Sequence, residues 1–377
     1  MRRLAGPLGF LAATRLVLNT GYRLVYPFLP AISRGLGISL DRAGVLVSAR
    51  NLGGAATPAI VVAGRRSTRT LIALALSLFA LGAAITSVAG AFWGAFTGFV
   101  LMGIGKPAFD VGAMTYLADR TPYHRRARVM SVLELTWAGG LLLGAPAAGW
   151  LIDRHGWQTP FWVVGVLAGA AVVLMFRLLE GARDQDDPTA APPRLDRSAR
   201  ALLLVFLLFS TAAELVFVVL GSWLELEFGL SIIQLGVFAA VVGFSELSGE
   251  MLTLVFADRV GKRNAVMIGI LLAVSGFVAI GVLGGSLAWG LAATALAFLG
   301  FEITIVSALP FASEVQPGAR SRYLGLIQVA MSSARAVGAL VGNPIFDSFG
   351  IAANAGLAAL LNLAALAVLY RVIKEHR

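Results

Sequence analysis

Two glutamates, Glu246 and Glu250, stand four residues apart in the stretch "GFSELSGEM", inside a run that is otherwise apolar from Ile232 to Ala257. In a helix that spacing puts both carboxylates on one face. They are not isolated. Arg15, Arg23, Arg50, Lys106, Asp110, Glu134, Glu214, Glu302 and Arg335 also fall within long apolar runs. A charge at the centre of a bilayer costs about 2.5–3.5 kcal/mol on insertion scales, so such groups must face protein or water. The chemistry open to them is reversible protonation and ion pairing with a solute. Asn19, Tyr22, Tyr26 and Asn51 have helical spacing near Arg23 and Arg50 and add hydrogen-bonding groups, with a packing role as the competing reading.

The elements that position these groups are helices of membrane length. The chain has 377 residues, 58% hydrophobic and only 13% charged, with a mean hydropathy of +0.84. Soluble domains carry about a quarter charged residues. Twelve apolar runs approach the ~20 residues needed to cross a bilayer. They lie at about 8–32, 43–63, 71–89, 92–117, 128–151, 158–177, 201–224, 231–256, 265–284, 287–312, 323–346 and 351–370. The N-terminus "MRRLAGPLGF" is read as the start of the first span and not as a cleaved signal. An all-α membrane protein is expected.

The net charge of +10 reports topology. With the N-terminus in the cytoplasm and sides alternating, cytoplasmic segments hold 22 of the 30 basic residues and outer loops hold Arg34, Arg42 and Arg154. The positive-inside rule therefore places both termini in the cytoplasm of an inner-membrane, multi-pass protein and gives no reason to expect a nucleic-acid partner. Cysteine is absent, and His124, His155 and His376 fall in loops or at the terminus. No metal or cofactor constellation and no nucleophile–base pair for an enzyme is visible. "GIGKPAF" fails as a phosphate loop because Val100 and Pro107 occupy positions that need Gly and Ser or Thr.

Between the sixth and seventh runs, "EGARDQDDPTAAPPRLDRSAR" reads as a flexible cytoplasmic linker, residues 180–200. It separates an N-terminal six-helix half, 1–179, from a C-terminal one, 201–377. The halves look like copies: Gly105 matches Gly300, Asp119 matches Glu314, Pro122 matches Pro317 and Arg125 matches Arg320, all 195 residues apart. "GAP" at 144–146 answers "GNP" at 342–344, offset by 198, while Arg65 and Arg69 answer Arg259 and Arg263 at 194. Repeated halves are how many secondary transporters are built, with the solute site near the midplane.

"ADRVGKR" at 257–263 resembles the cytoplasmic loop motif of the major facilitator superfamily, and "GRRSTR" resembles a degenerate first copy. "GLLLGAPAAGWLIDRHGWQTPFW", 140–162, resembles the Gly-Pro motif of that superfamily's drug:proton antiporter-like branch. One departure is plain: Phe99 stands where that branch usually has an arginine, and Lys106 lies nearby. The resemblance implies twelve transmembrane helices in two pseudo-symmetric six-helix bundles. In that fold spans 1, 2, 4, 5, 7, 8, 10 and 11 line a central cavity, and all eleven buried charges fall in those spans. Random placement would do this about one time in a hundred, given that intramembrane charge avoids lipid.

The resemblance further implies a proton-coupled carrier exporting a small organic solute by alternating access. A symporter or facilitator importing a sugar or organic acid, or a lipid or lysolipid transporter, stands as the alternative. The first half has an in-span excess of two positive charges and the second an excess of three negative. Four buried glutamates beside Arg335 cannot all stay ionised, so at least one is expected to take up a proton. Glu302, Glu246, Glu214 and Asp110 are thus the candidates for proton coupling. Asn19, Arg23, Arg50, Asn51, Lys106 and Arg335 are the candidates for solute binding. Glu250, Asp258, Arg259 and Glu134 are assigned to gating. A structural Glu246–Arg335 ion pair and a Lys106–Asp110 pair are competing roles. The expected partners are a small molecule, protons and the lipid bilayer, with the protein a monomer.

Overall fold

The structure is a computed structural model that describes residues 2–63, 67–180, 195–316 and 320–372. The side chains of 2–4, 62–63, 123–124, 127–128, 258, 320–321 and 372 also stand outside the description. Most of the expected linker therefore lies outside the described residues, as do Arg65, Arg66, Arg183, Arg194 and Pro317. Among the described residues the chain is all helix and turn, with no strand, which agrees with the expected class.

The helices are α1 (Arg2–Arg23), α2 (Val25–Leu36), α3 (Leu40–Ala55), α4 (Thr57–Ala63), α5 (Thr68–Ser87), α6 (Phe92–Arg120), α7 (Tyr123–Leu142), α8 (Gly144–His155), α9 (Thr159–Leu178), α10 (Arg197–Phe217), α11 (Leu220–Phe228), α12 (Ile232–Val260), α13 (Lys262–Leu283), α14 (Leu287–Val315) and α15 (Arg320–Val372). Several expected runs are helix pairs joined at a one- or two-residue break. The breaks fall at Leu24, Ala56, Leu143 and Val218–Val219. Conversely, α15 is two rods divided at Gly350, whose φ of 74° and ψ of 179° are non-helical. A side chain at that positive φ would be strained.

Eight stretches among the described residues are long and apolar enough to cross a membrane. They are Thr68–Ser87, Val129–His155, Thr159–Leu178, Arg197–Phe228, Ile232–Ala257, Lys262–Leu283, Leu287–Val315 and the divided Arg322–Arg371. The runs expected at 8–32, 43–63 and 92–117 are helical but fall outside this set. Arg15 and Arg23, Arg50, and Lys106 with Asp110 lower their hydropathy. Large apolar side chains on the outside, such as Val173, Phe176, Leu254, Val255 and Val282, mark surfaces made for acyl chains. Trp93 and Trp289, exposed by 70% and 61%, sit in the first turns of α6 and α14, where interfacial aromatics belong.

Local signals set the helix ends. Ser39 caps α3 by accepting from the Arg42 N–H, Ser67 caps α5 through Arg69, and Asp196 caps α10 through Ala199 at 2.7 Å. Ser231 and Gln234 make a reciprocal capping box at the start of α12. Gly37 and Gly229 close α2 and α11 in the left-handed conformation.

The chain forms two compact units, Met1–Thr189 with Ser231–Ala240, and Ala190–Leu230 with Val241–Arg377. In the first, α5 packs on α6 and α9, α3 on α6, and α1 on α7 and α9. In the second, α10 packs along α15 and α13 on α14 and α15. Glycines set these crossings. A Cβ on Gly82 would meet Met102 N at 2.8 Å; 194 residues on, a Cβ on Gly276 would meet Ala297 N at 2.3 Å. A Cβ on Gly105 would lie 2.6 Å from Ala75 O, and one on Gly300 would lie 2.6 Å from Gly269 O. The sequence repeat is thus also a repeat of helix contacts within each unit.

Candidate functional site

In the first unit the predicted residues converge from α1, α3, α6 and α7. Two glycines make the approach possible. A Cβ on Gly140 would stand 3.0 Å from Asn19 C, and one on Gly103 would strike the Arg50 carbonyl oxygen at 2.0 Å. Side chains on facing turns are thereby brought within hydrogen-bond reach.

Asp110 is the hub of one cluster. Arg15 Nε donates to Asp110 Oδ1 at 2.9 Å, and Lys106 Nζ, one turn before it on α6, donates to Asp110 Oδ2 at 2.5 Å. Arg15 also donates to the Leu133 carbonyl, and to Glu134 Oε2 at 3.4 Å. Opposite charges 4 Å apart attract by about 4 kcal/mol at an effective dielectric of 20, against a desolvation cost of several kcal/mol per ion. The geometry places Asp110 between the two cations, bonded to both. Glu134, with its side chain 42% exposed, is the wet end.

Around Arg23 the geometry is aromatic. Arg23 Nη1 donates to the Trp137 carbonyl at 3.1 Å, and its guanidinium lies 4.3 Å from the Trp137 ring centroid. Lys106 Nζ lies 5.2 Å from the same centroid. The two cations are thus no farther apart than 9.5 Å (4.3 plus 5.2). Their repulsion at an effective dielectric of 20 is at least about 1.7 kcal/mol. Each desolvated cation–π contact returns about 2 kcal/mol, so the indole holds both. Asn19, one turn before Arg23 on α1, donates to Thr136 Oγ1 at 3.1 Å.

A third group surrounds Arg50, which is fully buried. It donates to the Tyr22 carbonyl, to Tyr26 OH at 2.7 Å and to Asn51 Oδ1 at 3.3 Å, and its guanidinium lies 4.0 Å from the Tyr22 ring. Tyr22 OH closes the group on Asn51 Oδ1 at 3.1 Å. Phe99, where the branch motif usually has arginine, is buried against Phe161 at 6.0 Å between ring centroids. Lys106, seven residues on, is the buried cation of α6.

In the second unit Glu214, Glu246, Glu250 and Glu302 are all buried, on α10, α12 and α14. Gly249 sits on Glu302: a Cβ there would come within 3.0 Å of Glu302 Cβ. Glu246 and Glu250, three residues before and one after Gly249, thereby flank the α12–α14 crossing that Glu302 occupies. Glu214 is held against α15, where a Cβ on Gly338 would lie 2.8 Å from Glu214 Cβ. Arg335, one turn before Gly338, has its guanidinium 6.0 Å from the Phe301 ring.

The gating candidates separate. Glu134 joins Arg15, Glu250 is buried, Arg259 is exposed, and the Asp258 side chain lies outside the described residues. Beside them, Lys262 pairs with Glu314. Arg69 Nη2 donates to the Phe176 carbonyl, with its guanidinium 4.8 Å from that ring; Arg263 does the same to Tyr370, at 3.1 and 5.8 Å. Each arginine fastens the start of one helix to the end of another. Thr136 and Phe301 were missed in the sequence; the signal for Phe301 was its place 195 residues after Lys106. Among the described residues no group of three or more metal-ligating side chains occurs.

Comparison with known proteins agrees with this architecture. The Major Facilitator Superfamily profile matches residues 11–339 and, again, 202–377. The chain is 23% identical over 382 residues to the uncharacterized MFS-type transporter YceJ of Bacillus subtilis (strain 168), covering 95% of this chain and 94% of that one. It is 27% identical over 182 residues, 44% of each chain, to the cis,cis-muconate transport protein of Acinetobacter baylyi (strain ATCC 33305 / BD413 / ADP1). Its fold is similar to that of a POT family transporter crystallised with 5-aminolevulinic acid, with a TM-score of 0.78 and 14% identity over 97% of this chain and 94% of that one. A multi-pass helical membrane protein with a small-molecule solute, rather than an enzyme, is what these likenesses describe, and the chain belongs to the major facilitator superfamily.

Proposed function

We propose that the protein is a proton-coupled secondary transporter that exports a small organic solute in exchange for protons by alternating access. It works in the inner membrane as a twelve-span monomer with both termini cytoplasmic. The halves are residues 1–179 and 201–377, joined by the linker 180–200. Four buried carboxylates in one unit support this reading, above all Glu302 packed on Gly249 between Glu246 and Glu250. Burial and neighbouring like charge both disfavour the ionised form of a carboxyl. Glu302, Glu246 and Glu214 carry the proton, and Asp110 couples it to Lys106 and Arg15. Arg23, Arg50, Asn51, Asn19, Lys106 and Arg335 meet the solute. Glu250, Asp258, Arg259 and Glu134 gate it. The fifth-span resemblance to the antiporter branch favours export.

A second reading, uptake of an organic acid by symport, is favoured by the cations of the first unit and by the muconate transport relative. Proteoliposomes with an imposed pH gradient separate the two. Solute uptake into acid-inside vesicles supports exchange, and uptake driven by acid outside supports symport. Proton coupling fails as a reading when transport is indifferent to the gradient in both directions.

A further inference from the structure

We propose that Arg23, Lys106 and Trp137 form a subsite for the carboxylate of an organic anion, and that Asn19 accepts a hydrogen bond from a hydroxyl on the same molecule. The proposal deepens the transporter reading by naming its substrate class, a small hydroxycarboxylate. Three observations carry it. The Trp137 indole gathers two cations, one from α1 and one from α6, within 4.3 and 5.2 Å of its centroid. A carboxylate bridging them converts their mutual repulsion into two attractions. Asp110, the acid bonded to Lys106, divides its single negative charge between Lys106 and Arg15.

Asn19 supplies the second half of the argument. It is fully buried, its amide N–H is engaged with Thr136, and its Oδ1 makes no hydrogen bond among the described residues. A buried acceptor left without a donor is costly, and a substrate hydroxyl satisfies it. Asn19 and Arg23 are one turn apart on α1, and their partners Thr136 and Trp137 are consecutive on α7. Hydroxyl and carboxylate would thus be read by adjacent rungs of one helix pair. Trp137 is here a positioning residue, acting through the cations that it holds.

The test is binding of L-malate, succinate and tetraphenylphosphonium to the purified full-length protein in nanodiscs, by calorimetry, with proton flux followed by a pH dye in proteoliposomes. Malate binding at least about tenfold tighter than succinate is expected, because a site built for a hydroxyl rejects the analogue lacking it. Arg23→Gln and Trp137→Leu weaken malate by about tenfold or more, Trp137→Phe by less because a ring face remains. Asn19→Ser removes the preference for malate over succinate. Each variant is checked for a monodisperse elution profile. No binding of either acid, or equal binding by Arg23→Gln and the parent, overturns the proposal. Proton flux driven by tetraphenylphosphonium and not by malate also overturns it while leaving the proton-coupled carrier standing.

Discussion

Lys106 lies over the Trp137 ring, and the same contact recurs in the second unit with the partners exchanged. Phe301, 195 residues after Lys106, supplies the ring, and Arg335, 198 residues after Trp137, supplies the cation. One helix crossing in each unit is therefore tied by a cation–π contact, with the charge on opposite helices. Swapping Phe301 and Arg335 for the first-unit pattern, as Phe301→Lys with Arg335→Trp, tests whether the contact or the charge placement matters. Thermal stability near the parent's with lost transport is expected, and a loss of stability greater than that of Phe301→Lys alone refutes the equivalence.

Asp110 binds two buried cations, so its neutralisation is expected to cost more than loss of either partner. Asp110→Asn leaves Lys106 without its bonded acid and Arg15 with Glu134 alone, a loss of about 3–5 kcal/mol by analogy with broken buried pairs. Restoring balance with Lys106→Met in the same chain recovers part of it. Detergent-solubilised thermal unfolding of the two single variants and the double variant reads this directly; strict additivity would refute the shared hub.

Glu302→Gln is expected to uncouple transport from the pH gradient while solute exchange between equal pools continues, because the amide occupies the carboxyl's volume without titrating. Glu246→Gln is expected to do so to a smaller extent. Counterflow and gradient-driven uptake measured in the same proteoliposomes give the comparison, and an unaltered gradient response in both variants removes these carboxylates from the coupling role.

Glycine replacements should divide sharply by site. Gly103→Ala drives a methyl into the Arg50 carbonyl and costs about 1–3 kcal/mol. Gly169→Ala meets nothing within 4 Å and gains up to about 1 kcal/mol of helix propensity. Their unfolding temperatures in one detergent should move in opposite directions.

Much of this was legible beforehand, and the reasons are physical. Long apolar runs have few folds open to them, and a charge within such a run must find a polar neighbour, which picked out Arg23, Arg50, Lys106 and Asp110. The Lys106–Asp110 pair followed from helical spacing alone. What spacing could not convey was lateral: that Asp110 reaches Arg15 across 95 residues, or that Trp137 takes two cations. The breaks at Leu24 and Val218–Val219 carry no glycine or proline of their own and were read as continuous helix. Glu246 and Glu250 were visible as a pair, but the close approach of α12 to Glu302 at Gly249, which lies between them in sequence, was not.

The doubled glycine crossings have a mechanical consequence. Each close backbone approach at Gly82 and Gly276, or Gly105 and Gly300, leaves no room for a Cβ, so matching crossings are fixed in both units. Side chains between those fixed points carry opposite charge, mainly bases in one unit and mainly acids in the other, without altering how either is put together.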